Sequence, residues 1–232
     1  MRRFATLGLA LAILVAAVAV SSPIKVDAQS AGLVSALINR MERNRRELKS
    51  LRAGISMEKY DARIHDKDNR SGVVLYVPGQ GRSAYVRVDW QYPAKETLAV
   101  ADGQYTLFRP RLNMAYRGAA GSSRAKAGGV FDFLNMSGQQ IRTRFEPLQD
   151  IYEETLGGGV RTTHIRLVPK GGASYKYAEV WIDGGGMPVQ TKVVEKNDDA
   201  TTVRLTDMQK NAGIPLDQFK LQLDGSVKIV KG

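Results

Sequence analysis

The 232-residue sequence contains no cysteine. That single absence removes disulfides, thiolate nucleophiles, cysteine metal sites and an N-terminal lipid carried on cysteine. Histidine is almost as scarce. His65 and His164 are the only two, they form no H-x-x-x-H pair, and both read as isolated residues in polar strand contexts rather than as metal ligands or bases. No G-x-S-x-G elbow and no P-loop occur. Gly79-Gln80-Gly81 fails the dinucleotide pattern, because Ala84 stands where the last glycine belongs. Glu153-Glu154 and Asp198-Asp199 are sequence neighbours, and neighbours on an extended chain point to opposite faces. Solvated turns and edges explain them better than acid–base chemistry. The sequence therefore reads as a non-enzyme, with no catalytic residue, no metal site and no cofactor.

What is present begins with an export signal. Arg2 and Arg3 precede an apolar run over residues 7–20, followed by Ser21, Ser22, Pro23 and the small-residue site Val26-Asp27-Ala28. This order defines a secretory signal peptide over residues 1–28. The run is shorter than the roughly 20 apolar residues of a membrane-spanning helix. An uncleaved anchor is the competing reading. The mature chain, residues 29–232, suits one domain with a substantial core. It keeps 31 basic and 22 acidic residues, a net charge of +9. Anionic lipid head groups or acidic protein patches are the expected partners of that charge in an exported protein, and nucleic acid is not. A merely solubilising surface fits the charge equally well.

Val34, Leu37, Met41, Leu48, Leu51 and Ile55 recur at spacings of three, four or seven, with Leu33 and Ile38 beside the stripe. The spacing predicts an amphipathic helix of about twenty residues from near Ser30. Its stripe suits a sheet-facing core and, as an alternative, a membrane surface. From about Ile55 the pattern turns to strands. Ala84, Val86, Val88, Trp90 and Tyr92 alternate with Tyr85, Arg87, Asp89 and Gln91, which is a period-two strand with one apolar face. Asp102-Gly103 marks a hairpin before residues 105–109. Later strands are expected over residues 163–168, 177–183, 188–195 and 201–208, and around Phe219, Leu221 and Leu223. About ten strands without intervening helices exclude βαβ winding. The fold class expected is α+β, an incomplete, half-open antiparallel β-barrel with helices over its concave side.

Between the two groups of strands, residues 118–129 are rich in Gly, Ala and Ser, and the apolar cluster Val130, Phe131, Phe133, Leu134 and Met136 follows. A loop carrying such a segment reads equally as a lid and as a plain helical cap. Trp90, Tyr92, Tyr105, Phe108, Tyr116, Phe131, Phe133, Met136, Tyr177 and Trp181 are large enough to wall a cavity, and periodicity does not distinguish a hollow barrel from a filled one. The candidate ligand-binding residues are Val86, Val88, Trp90, Leu107, Phe131, Leu134 and Met136.

An ordered set of segments resembles the LolA family of outer-membrane lipoprotein carriers. It comprises Leu48-Lys49-Ser50-Leu51-Arg52-Ala53, Ser71-Gly72-Val73-Val74-Leu75-Tyr76, Arg87-Val88-Asp89-Trp90-Gln91-Tyr92-Pro93 and Val100-Ala101-Asp102-Gly103-Gln104-Tyr105. Phe108-Arg109-Pro110, Val180-Trp181-Ile182-Asp183, Met187-Pro188-Val189-Gln190 and Thr202-Val203-Arg204-Leu205 continue it. Residues 214–221 and 225–229 close it. The set spans nearly all of the mature chain.

The resemblance implies a periplasmic monomer whose apolar cavity takes acyl chains of lipoproteins or other lipids. Its partners would be an inner-membrane ABC transporter and an outer-membrane acceptor. It also leaves open a sensor on the same fold, acting on an envelope-stress or anti-sigma partner. Family members carry Arg-Pro after the strand that here ends in Tyr76, and that Arg latches the lid. Val77-Pro78 stands there in this chain, which leaves Arg82 as the nearest candidate latch.

Overall fold

The computed structural model describes residues 24–79, 84–120 and 129–232. Residues 1–23 of the expected signal peptide, Arg82, and residues 121–128 of the Gly/Ala/Ser-rich segment lie outside the described residues.

The first element is α1, Ile24–Glu47, which begins ahead of the expected start near Ser30. Leu37, Ile38 and Met41 bury its apolar face, whereas Leu33 is exposed. The apolar spacing does not carry the helix through residue 55. Leu51, Ala53, Ile55 and Met57 are all buried on alternate positions of β1, Leu51–Asp61. Leu51 and Ile55 satisfy both periods, and Ala53 and Met57 complete only the period-two set.

The rest of the chain builds β2 (Asp66–Val77), β3 (Tyr85–Tyr92), β4 (Glu96–Ala101), β5 (Gln104–Arg109) and β6 (Met114–Ala119). Two short helices follow, α2 (Gly129–Leu134) and α3 (Gly138–Arg144). Then come β7 (Gln149–Leu156), β8 (Val160–Leu167), β9 (Tyr175–Asp183), β10 (Pro188–Glu195), β11 (Ala200–Lys210) and β12 (Lys228–Lys231). The twelve strands form one open sheet in the order β12-β6-β5-β4-β3-β2-β1-β11-β10-β9-β8-β7. Every pairing is antiparallel except β12 with β6. This is the expected half-open barrel of the α+β class, with twelve strands where the sequence pattern suggests about ten.

The strand expected around Phe219, Leu221 and Leu223 is not formed. Leu216–Phe219 is a 3-10 turn after Pro215. It packs Phe219 against Tyr85 on the outward side of β3, with ring centroids 5.8 Å apart. Arg87 Nη1 donates to the Gln218 carbonyl at 2.9 Å. Residues 211–227 thus run as a strap over the outward face, and burial of Phe219 there replaces strand pairing.

All three helices lie on the other, inner face. Leu37, Met41, Phe133, Met136, Ile141 and Phe145 pack with Ile165, Leu167, Ala178, Val180 and Ile182 of β8 and β9. A capping box starts α3. The Ser137 hydroxyl accepts from Gln140 N–H, and the Gln140 side chain accepts from Ser137 N–H. Glu42 of α1 accepts from Gly138 N–H at 3.3 Å. Asn44 Nδ2 donates to Met187 Sδ, and Lys210 Nζ donates to Asn44 Oδ1. The Glu42 bond joins α1 to α3, and the Asn44 bonds tie the C-terminal end of α1 to the β9–β10 turn and to β11. No described helix is long and apolar enough to cross a membrane.

Candidate functional site: an apolar sheet face under a short helix

Strand registers align the inner side chains of the N-terminal half into rows across the sheet. One row holds Leu51, Tyr76, Val86, Val100, Tyr105 and Gly118. The next holds Ala53, Val74, Val88, Leu98, Leu107 and Tyr116. A third holds Ile55, Gly72, Trp90 and Glu96. Arg109 joins this third row, with Nε 3.0 Å from Glu96 Oε1. Arg70, facing Met57 on the adjacent strand, reaches the other Glu96 oxygen at 3.2 Å. The face is therefore apolar for two rows, and ends beyond Trp90 in an Arg–Glu–Arg network.

The predicted ligand-binding residues mostly converge. Val86, Val88, Trp90, Phe131 and Leu134 share one buried cluster, with Leu107 partly buried against it. Met136 does not join them. It lies two residues beyond the end of α2 and packs in the second cluster, under α1. The Phe131 ring stacks on Tyr76 at 6.1 Å between centroids and 12° between planes. Tyr76 is fully enclosed, and burial pushes its phenol up to about 12. Sequence reasoning missed Tyr76 as a site residue, although the alternation over residues 72–76 and its place in the β2 strand were the available signals.

Several proposed cavity walls lie elsewhere. Tyr92 is exposed, because an irregularity in the β2–β3 register turns it away from the row of Trp90. Trp181 pairs with His164 across β8 and β9, on the face opposite Val180 and Ile182, and is buried at the margin of the cluster that holds Trp90 and Phe131. His164 is not in a polar strand context. It is 1% exposed, stacked on Tyr152 at 4.4 Å and met edge-on by Trp181 at 4.8 Å. His65 occupies the β1–β2 turn with φ +54° and hydrogen-bonds Tyr60. Glu154 lies in edge strand β7 and accepts from the Trp181 indole at 2.7 Å. Among the described residues, no group of three or more His, Asp or Glu side chains is placed to hold a metal ion.

Two shallow, open depressions among the described residues measure about 370 and 340 Å³. Both open on outward strand positions, the first between Ser56, Ser71, Gln190 and Arg204, the second between Arg52, Arg87 and Asp89. On the inner face, α2 lies beside β10 and reaches the first apolar row through the Phe131 ring on Tyr76.

An open antiparallel half-barrel with a helix seated on an apolar inner face defines a class of fold. The structure is similar to an uncharacterized conserved protein from Thermus thermophilus, at 12% identity over 86% of this chain and 99% of that one, with a TM-score of 0.54. It is similar to MucB in the Pseudomonas aeruginosa MucA/MucB complex, at 16% identity over 85% of this chain and TM-score 0.50. This chain spans 63% of the length of that one. It also resembles a LolA superfamily protein from Nitrosomonas europaea, at 12% identity over 81% and 97% of the two chains, with a TM-score of 0.41. No protein-family model matches the chain, and no curated protein matches it in sequence. The chain shares the open half-barrel fold of the Thermus thermophilus protein and of MucB.

Proposed function

We propose that this chain is a periplasmic carrier, exported by residues 1–28, which holds the acyl chains of lipoproteins or other lipids against the inner rows of β1–β6. The observation that carries this reading is two continuous apolar rows, with Phe131 of the six-residue α2 stacked on Tyr76 in the first of them. A helix that short has little stability of its own and depends on its packing. Lifting Phe131 and Leu134 uncovers an apolar strip. Each methylene then buried gains about 0.8 kcal/mol, so ten supply on the order of 8 kcal/mol. Binding of that kind needs no catalytic group, and the reading is of a carrier rather than an enzyme. Cargo would come from an inner-membrane ABC transporter and pass to an outer-membrane acceptor, driven by differences in affinity.

The likeness to MucB supports a second reading. That protein is found in complex with MucA. On this reading the same apolar face senses lipid and a surface of the half-barrel binds a membrane regulator.

Native mass spectrometry of the protein purified from the periplasm, with lipid extraction, tests the carrier. A lipid or acylated protein at near-unit stoichiometry is the expected result. A clean apo mass, with no uptake of added lipid or lipopeptide, would remove the carrier reading.

A further inference from the structure

Tyr105 sits in the first apolar row, between Val100 and Gly118, and is 1% exposed. Its hydroxyl is enclosed and has no hydrogen-bond partner among the described residues. Along the row, Val100 beside it and Val86 beyond offer only hydrocarbon side chains. A buried hydroxyl without a partner is costly, and phenylalanine would fill the same space without that cost. Gly118 adds a second observation. A Cβ there would lie 2.6 Å from the Gly232 carbonyl oxygen and 2.9 Å from the Tyr105 ring, so glycine at this position lets both the C-terminal backbone and the ring edge approach.

We propose that the Tyr105 hydroxyl is the polar handle of the lipid site, donating a hydrogen bond to the carbonyl oxygen of an acyl ester or amide. This inference rests on the carrier reading. An acyl chain is hydrocarbon except at the carbonyl that joins it to its head group, and that carbonyl only accepts. A phenol in an apolar wall supplies the one donor such a ligand needs. The charged network at Glu96 and Arg109 lies four residues further along β5, about 13 Å away at 3.3–3.4 Å per residue. The hydrocarbon between the two is what the apolar rows would cover.

The test uses the mature full chain, its Tyr105→Phe variant, and three probes of equal chain length. These are vesicle-delivered phosphatidylglycerol with ester-linked chains, its ether-linked analogue without carbonyls, and an N-acylated peptide. The wild type binds the ester lipid more tightly than the ether lipid. Tyr105→Phe loses about three- to tenfold in affinity for a carbonyl-bearing probe, the range one hydrogen bond gives, and nothing for the ether. Loss with the ester probe alone identifies a glycerolipid ester as the acceptor, and loss with the peptide alone identifies an N-acyl amide. Thermal unfolding of the lipid-free variant checks that the fold is intact, and its midpoint stays level or rises by about 2–4 °C. Unchanged affinity of Tyr105→Phe for both carbonyl probes, with the wild type binding them, overturns the inference alone. A wild type that takes up none of the probes overturns the carrier reading and the inference together.

Discussion

Phe131 and Tyr76 lie nearly parallel, 12° apart, although 55 positions separate them and one belongs to a six-residue helix while the other belongs to the centre of the sheet. Phe131 is thus the contact that ties α2, seated beside β10, to the apolar row of Tyr76. In a rigid core, Phe→Ala costs about 3–5 kcal/mol of global stability. A cover that opens locally behaves otherwise, because its contacts break without global unfolding. Phe131→Ala is therefore expected to lower global stability by less than that range. It should also speed amide exchange in residues 129–134 and the uptake of a fluorescent lipid. Chemical denaturation and hydrogen exchange measure the two effects. A full core-sized loss with unchanged exchange and uptake would make α2 a fixed cap.

Trp90 stands at the boundary between the apolar rows and the Glu96–Arg109 pair, and is buried in the same cluster as Phe131. Trp90→Ala is expected to weaken lipid binding at least about tenfold, which is about 1.4 kcal/mol. Its stability loss should stay at or below about 3 kcal/mol, the lower end for truncating a buried Trp. Binding titrations set beside urea unfolding check the ratio. A variant that simply unfolds would make Trp90 ordinary core and take the site away from this row.

Much of this was legible before any coordinates. The alternation at Val86, Val88 and Trp90 placed all three on one face, and the fold class followed from strands separated by turns. What was not legible has physical causes. Strand β12 is only Lys228–Lys231, and the irregular strap of residues 211–227 carries the chain from β11 to it, beside its parallel partner β6, so no local period announces it. Strand β7 begins at a register irregularity with Asp150 at φ +53°, which breaks the alternation that would reveal it. The facing of Trp181 and Tyr92 depends on register, which composition does not encode. Met136 was grouped with Phe131 because both lie in one apolar run. The end of α2 at Leu134 sends it to the other cluster.

Gly72 illustrates a constraint that the sequence shows only as a letter. A Cβ at this position would collide with the Asp89 carbonyl and crowd the Trp90 backbone, where β2 and β3 cross closely at their register shift. Backbone does not yield as a flexible side chain does. Gly72→Ala is expected to cost about 1–3 kcal/mol by overpacking. Because the strain falls directly on Trp90, lipid affinity should drop as well. Thermal unfolding and binding of the same variant provide the check. A neutral effect on both would show that the two strands separate there at no cost.

Tyr76 makes the buried face sensitive to alkali. Burial raises its phenol from the ordinary value of 10 to about 12, with the nearby Arg45 guanidinium opposing the shift. A group whose folded pKa lies above its unfolded value favours the folded state fully below pH 10, and that contribution fades as pH rises from 10 towards 12. That difference corresponds to about 3 kcal/mol. Stability should therefore be level with respect to this group up to about pH 10 and fall above it, and α2 should loosen in the same window because Phe131 rests on the Tyr76 ring. Tyr76→Phe cannot ionise and keeps the stacking surface. Comparing the two proteins by denaturation from pH 9 to 12 isolates the contribution of one phenol. Equal alkaline slopes for the two would mean that the Tyr76 hydroxyl meets solvent in the folded state, and that α2 covers the inner face less completely than the stacking of Phe131 on Tyr76 implies.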